Sequence, residues 1–311
     1  MKAIVVEHLG EAGSLKEIPI PQPDPDEILV RVTAAGVNPI DWKRRDRPNE
    51  KFPFVLGQDF AGVVSLPGAR VHTYREGERI FGIAGDHGSY AQYTIASERE
   101  DPIAKIPESV GDADAAALPT AGLTALASLE TLHVAKGMTL LVLGATGGVG
   151  GFAVQIAHDR GARVIGTGRS SSEDFARSLG VDEFIAYDRH NAVQAVKAAH
   201  PDGIDAALDL VDDADAIKAL AEIVRPGGSI VSTTHSADVE WFASKKISAL
   251  NIGIFDTPQF SHAGLRTLLE LLEQGRMRVV IAGERALSDA VTTLEESKRG
   301  SISGKLVITV D

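Results

Sequence analysis

The sequence contains no cysteine. That removes disulfides, thiolate nucleophiles and every zinc or iron–sulfur site built on sulfur. Aromatic residues are scarce at 5%, and positive charge is in deficit, with 31 Lys and Arg against 43 Asp and Glu for a net charge of −12. A surface that tracks phosphates along its length needs the opposite balance, so nucleic acid is not an expected partner. The nine histidines show neither HExxH nor paired spacing. GxSxG and GxxxxGK[ST] are also absent, which leaves metalloprotease, esterase and nucleotide-hydrolase chemistry without support. The stretch 137–157 carries no formal charge, but six of its residues are glycine. A strand, a tight turn and a helix start account for it better than a membrane span. The opening MKAIVVEHLG has a short β-branched run that meets Glu7 and His8, without the apolar core of a secretory leader. The expected location is the cytoplasm.

What is present is an ordinary globular mix over 311 residues, 44% hydrophobic and 24% charged, a length that suits two domains. Up to about residue 118 the pattern is β-like, with short apolar runs at 28–32 and 60–64 between Pro and Gly clusters. The proline-dense 19–28 reads as a surface connection. From 119 onward strand and helix patterns alternate: 139–143 and the helix after Gly150, 163–167 and 172–179, 183–187 and 191–200, 204–210 and 213–224, then 229–233 with a helix after it. Strands joined in this way by helices demand a parallel, doubly wound sheet. Helices over 265–274 and 288–299 and a strand over 305–310, opened by Lys305, close the chain. The last two are expected to pack on the N-terminal domain.

The informative motif follows the first strand of that alternating half. Gly144-Ala145-Thr146-Gly147-Gly148-Val149-Gly150 lies between an apolar strand and an amphipathic helix. Glycine lets backbone approach a pyrophosphate, and a helix start aims free N–H groups at it, so Thr146, Gly147, Gly148 and Val149 are expected to bind the nucleotide. Ala145 stands where the strict fingerprint has glycine, and a purely structural turn is the alternative. At the end of the next strand, where NAD sites usually carry a carboxylate, this chain has Gly168, then Arg169 and Ser170. A fixed cation and a hydroxyl suit a 2′-phosphate, so NADP(H) is favoured over NAD(H), unless Arg169 simply extends into solvent. Val211 and Thr233 close the fourth and fifth strands at the carboxyl edge, where such sheets place ligands.

Together with AAGVNPIDWK at 34–43, PFVLGQDFAGVV at 53–64, GERIFG at 77–82, LPTAGLTA at 118–125 and GKLVITV at 304–310, this turn resembles the medium-chain dehydrogenase/reductase superfamily, in its zinc-independent quinone oxidoreductase group. The resemblance spans nearly the whole chain. It implies an α/β protein with a GroES-like β-barrel catalytic domain from 1–118 and 256–311, an inserted Rossmann domain over 119–255, and an active site in the cleft between them. The positions that hold catalytic zinc in metal-dependent relatives correspond to Asn38, Gln58 and Thr120, none a credible zinc ligand. By the same resemblance Asn38 is the hydrogen-bond donor to a developing oxyanion, with a plain turn amide as the alternative. Asp41 either positions water or backbone near it or caps the short helix that follows. Asp59 is taken as a structural charge near the cleft, with a catalytic role as the alternative. Thr124 approaches the nicotinamide, and Tyr187 lies near the adenosine phosphate or in the core. The expected activity is hydride transfer from NADPH to a quinone or small conjugated carbonyl. A ketone or aldehyde reductase and an NADPH-binding protein with little turnover remain open beside it. A homodimer, joined through the apolar segment 247–255, is expected.

Overall fold

The computed structural model describes residues 1–300 and 302–311. The chain divides into two units, one made of Met1–Ala121, Ser261–Glu273 and Val279–Asp311, the other of Gly122–Phe260 and Gln274–Arg278. The sequence pattern and the resemblance place these changes at 118/119 and 255/256.

The first unit begins with β1 (Lys2–Val6), β2 (Ser14–Glu17), β3 (Glu27–Gly36), α1 (Pro39–Arg45), β4 (Phe54–Val55), β5 (Asp59–Pro67), β6 (Arg79–Ile83), β7 (Tyr93–Ser97), β8 (Ile103–Lys105) and α2 (Asp112–Ala117). β3 is the organising strand. Its sequence EILVRVTAAG is rich in β-branched and small residues, which suits a pleated surface covered on both faces. Antiparallel β5 runs along one edge of β3 for its whole length, and β7 takes the first half of the other edge. The helix α3 (Pro119–Thr131) then crosses the division between the units.

The second unit contains β9 (Thr139–Leu143), α4 (Gly148–Asp159), β10 (Arg163–Gly168), α5 (Glu173–Ser178), β11 (Glu183–Ala186), α6 (Ala192–Ala199), β12 (Ile204–Asp209), β13 (Val224–Ser232), α7 (Val239–Ser244) and β14 (Ser248–Asn251). The strand order is β11-β10-β9-β12-β13-β14 and every pairing is parallel. That is the doubly wound arrangement expected from the alternating pattern, with its switch point between β9 and β12. Leu140, Leu141 and Val142 of β9 are fully buried, as a central strand requires. One element differs from expectation. The helix predicted over 213–224 is only a 3-10 segment at Ile217–Glu222, and β13 already starts at Val224. The Asp213 carboxylate accepts the N–H groups of Asp215 and Ala216, a local turn that uses the donors an α-helix start would need and leaves too few residues before the strand.

The chain finishes with α8 (His262–Glu273), β15 (Ile281–Ala286), α9 (Ala290–Arg299) and β16 (Lys305–Thr309). β16 pairs antiparallel with the second half of β3, and Leu294 and Ile308 join the core of Ile28, Val30, Val32 and Phe60. The C-terminal strand and helix therefore pack on the N-terminal elements, as the sequence predicted. The register also sets up the site. Gly36 pairs with Asp59 on one side and Val307 on the other, so Asn38 just past β3, Asp59 at the head of β5 and Lys305 at the head of β16 meet at one end of the sheet. Among the described residues no helix is long and apolar enough to cross a membrane.

Candidate active site

Asn38, Asp41, Asp59, Tyr90 and Lys305 are each no more than 4% exposed. Charges so deeply buried persist only where they are hydrogen-bonded, and each of them is, although Asp41 Oδ1 has no partner. Asp59 accepts bonds from Asn38 Nδ2 at 2.9 Å, from the Thr120 N–H at 3.0 Å and from Thr120 Oγ1 at 2.5 Å. The Thr120 N–H belongs to the first turn of α3, where the helix dipole also favours an anion. Lys305 Nζ donates to Val37 O at 2.8 Å and to Asn38 Oδ1 at 2.5 Å. Asp41 Oδ2 accepts the Asn38 backbone N–H at 2.9 Å and the Tyr90 hydroxyl at 2.8 Å. The first of these is the return bond of a helix cap, so Asp41 closes the start of α1 while the Asn38 side chain is turned elsewhere.

The electrostatics follow from burial. Desolvation pushes the Asp41 carboxyl from 3.8 up to about 7, against the pull of the Asn38 and Tyr90 bonds. Burial likewise raises Asp59, opposed chiefly by the Lys305 charge, and lowers Lys305, opposed by Asp59 and Asp41. Tyr90 is held well above its ordinary value by burial and by Asp41, so its hydroxyl remains a donor. Because the folded value of Asp41 lies above that of the unfolded chain, the native state holds a proton that the unfolded state releases. Its contribution to stability therefore falls as pH rises from 3.8 towards about 7, each unit of difference being worth about 1.4 kcal/mol. Asp41→Asn is expected to flatten the decline in unfolding free energy over that window, read by chemical denaturation at several pH values. An equal decline in both proteins would remove Asp41 as its source.

The glycine turn is built in the second unit. Gly144 leaves β9 with a φ of +85°, and a Cβ at Gly150 would lie 2.1 Å from Gly144 O and 2.9 Å from Ala145 Cα. Only glycine allows α4 to start this close to the strand end. Gly147 is the N-cap and no side chain caps the helix, so the first N–H groups of α4, with Gly148 and Val149 in its first turn, point outward in the manner that receives a pyrophosphate. Ala145 departs from the fingerprint, and Gly166 accommodates it: a Cβ there would come within 2.9 Å of Ala145 Cβ. The residues present thus fit a dinucleotide.

Other expected contacts gather around this turn. A Cβ at Gly168 would lie 3.2 Å from Thr146 Cγ2, Gly168 O accepts the Tyr187 N–H at 3.1 Å, and Val211 Cγ1 sits 2.8 Å from where a Gly144 Cβ would be. Tyr187 is 52% exposed, which removes its core-packing alternative. Strand β11 ends at Ala186, one residue before it. Thr233 follows β13 and donates its N–H to Asp209 O at 3.0 Å. Thr124 lies further along α3, its carbonyl accepting the Ser128 hydroxyl at 2.7 Å. Arg169 is exposed. The Ser170 N–H and hydroxyl both donate to Asp188 at 2.8 Å.

Comparison with known proteins agrees with these two constructions. Residues 24–108 match the alcohol dehydrogenase GroES-like domain, and residues 148–274 match the zinc-binding dehydrogenase family. A 2-methylene-furan-3-one reductase of Solanum lycopersicum is 31% identical over 99% of this chain and 79% of its own. The chloroplast envelope quinone oxidoreductase homolog of Arabidopsis thaliana is 29% identical over 96% of this chain and 95% of its own. The solved quinone oxidoreductase of Coxiella burnetii superposes with a TM-score of 0.91 at 33% identity, covering 100% of this chain and 99% of that one. The chain belongs to the medium-chain dehydrogenase/reductase superfamily, in its quinone oxidoreductase-like group. It is an oxidoreductase of that type, GroES-like in its first part and Rossmann-type in its second, and such oxidoreductases use a nicotinamide cofactor.

Of the three positions that the resemblance aligns with zinc ligands in metal-dependent relatives, two bind a carboxylate in this quinone oxidoreductase-like chain. Asn38 and Thr120 both bind the Asp59 carboxylate. Gln58 is buried beside them with Oε1 unpartnered. The sequence singles out Asp59 without its partners, presents Lys305 only as a strand opener and does not point to Tyr90. The one available signal was a lysine heading an otherwise apolar strand, KLVIT. Nothing local links Tyr90 to Asp41, which lies 49 residues away.

Proposed function

We propose that the protein reduces quinones or other small conjugated carbonyl compounds with a hydride from NADPH. The observation that carries this reading is the Asn38 carboxamide, gripped at Oδ1 by Lys305 and at Nδ2 by Asp59. Nδ2 bears two hydrogens and Asp59 takes one, so a preoriented neutral donor remains for an oxyanion. That arrangement suits an acceptor already electron-poor, whose oxygen gains charge as the hydride arrives. The nicotinamide, when bound, supplies the hydride. Asn38 meets the developing oxyanion, Asp41 holds the Asn38 backbone, and the uncapped start of α4 receives the pyrophosphate. The names of the similar chains, quinone oxidoreductases and a furanone reductase, support the same substrate class.

Gly168 in place of a carboxylate, followed by exposed Arg169, supports NADPH over NADH. Edge strand β14, with Leu250 42% and nearby Phe255 45% exposed, supports a homodimer acting on small electrophiles, with no nucleic acid partner. The test is loss of nicotinamide absorbance when the protein meets a benzoquinone or a cyclic enone, with NADPH and NADH side by side. Turnover with NADPH is expected, and Arg169→Glu should raise the NADPH KM roughly 10- to 100-fold, the cost of one charge-assisted bond, while sparing NADH. Equal effects on both cofactors would sink the 2′-phosphate assignment. Turnover of saturated ketones or aldehydes alone would make the protein a carbonyl reductase, and tight NADPH binding without consumption would make it a binding protein.

A further inference from the structure

We infer that Lys305 is a positioning residue for the reduction: its buried ammonium sets the orientation of the Asn38 carboxamide and strengthens the N–H that carboxamide offers to the substrate. The inference rests on the reading of Asn38 given above.

An amide side chain placed between two neutral polar groups can turn over, because its oxygen and nitrogen differ little in size. Asn38 has no such freedom. An ammonium has hydrogens and no acceptor, so the atom 2.5 Å from Lys305 Nζ is the amide oxygen. An ionised carboxylate only accepts, so the atom 2.9 Å from Asp59 Oδ2 is the amide nitrogen. Turning the amide over would set N–H against ammonium and oxygen against carboxylate, two repulsions in a buried site. Lys305 is itself anchored by Val37 O at 2.8 Å, and Asp59 by both donors of Thr120, so neither end of the clamp drifts. A cation on Oδ1 also draws electron density out of the amide, which makes the remaining Nδ2–H a stronger donor. The lysine acts through Asn38 and need not touch the substrate.

The titratable groups facing Lys305 are Asp59 and Asp41, and Tyr90 adjoins them through Asp41. Removing the ammonium takes the countercharge from Asp59, whose carboxyl burial already raises. Once Asp59 binds a proton it becomes a donor, and the amide then has reason to turn over. Lys305→Met should therefore lose kcat about ten- to hundredfold, a fraction of the loss of a full oxyanion donor. Its KM and Kd for NADPH should stay at the wild-type values, and its kcat profile should gain an ionisation from Asp59, whose carboxyl rises further once the opposing Lys305 charge is gone.

The experiment compares wild type, Lys305→Met and Lys305→Arg in three readouts: kcat and KM with a benzoquinone across pH, NADPH Kd by fluorescence, and the side-chain amide signals of Asn38 in protein labelled with 15N-asparagine. The expected result is a kcat-selective loss in Lys305→Met, partial recovery in Lys305→Arg, and a shifted pair of Asn38 amide signals in the methionine variant only. Wild-type kcat together with unmoved Asn38 signals in a folded Lys305→Met protein would overturn the inference. So would a loss shared equally by kcat, NADPH affinity and melting temperature, which marks a lysine that only supports the fold. If Lys305→Met does not fold, the arginine variant decides alone, since it keeps the charge and must keep the Asn38 signals near their wild-type positions. Failure of wild type to turn over any acceptor would remove the proposed reaction, and the amide signals would still decide what Lys305 does to Asn38.

Discussion

Asn38→Ala should lower kcat by about 10²–10³, the usual cost of deleting one preoriented oxyanion donor. The NADPH KM should change little, because the glycine turn lies in the second unit and shares no residue with this cluster. The variant also removes one hydrogen bond from Lys305, which keeps Val37 O, and one from Asp59, which keeps Thr120, at roughly 1–3 kcal/mol per buried bond to a charged group. A fall in melting temperature is therefore expected as well, and the kinetic comparison belongs at a temperature where both proteins are folded. Steady-state kinetics with a benzoquinone checks the prediction. A folded variant with kcat within twofold of wild type would show that Asn38 is a turn amide and nothing more.

The second large effect is expected at Gly150. A side chain there meets Gly144 O at 2.1 Å and Ala145 Cα at 2.9 Å, both fixed backbone atoms, so the turn must open to admit even a methyl group. Gly150→Ala should weaken NADPH binding at least a hundredfold and cost on the order of several kcal/mol of stability, as overpacking against unyielding atoms does. Gly147→Ala is the matched control. Its nearest neighbour is Gly144 O at 3.6 Å and its φ is −77°, values an alanine accepts, so this variant should fold normally and lose only cofactor affinity. Fluorescence titration with NADPH and thermal melts read both. Wild-type affinity in Gly150→Ala would mean that the start of α4 does not receive the pyrophosphate.

Local pattern carried most of the second unit. An apolar strand, a glycine turn and an amphipathic helix are written within about twenty residues, and each later strand–helix pair repeats the signal, so a parallel order with its switch beside β9 follows from connectivity. The exception at Ile217–Glu222 arose because a side-chain turn at Asp213 competes with helix hydrogen bonding. Periodicity does not register that competition. The partner of Ser170 is equally hidden from local pattern. Its donors go to Asp188, 18 residues later and on the neighbouring stretch of chain.

By itself the sequence determined the absence of cysteine chemistry, the α/β class and the place of the glycine turn, since each depends on residue identity or on neighbours a few positions apart, while Asn38 became a candidate through the family resemblance of the block around it. Tertiary structure alone decided what the Asn38 side chain binds. Its carboxamide is oriented by Asp59, 21 residues away, and by Lys305, 267 residues away, and Asp41 owes its raised pKa to desolvation by burial, against the pull of the Tyr90 hydroxyl 49 residues away. Hydrogen bonds and desolvation act through space, and only the pairing of β3 with β5 and β16 brings those side chains within reach of one another.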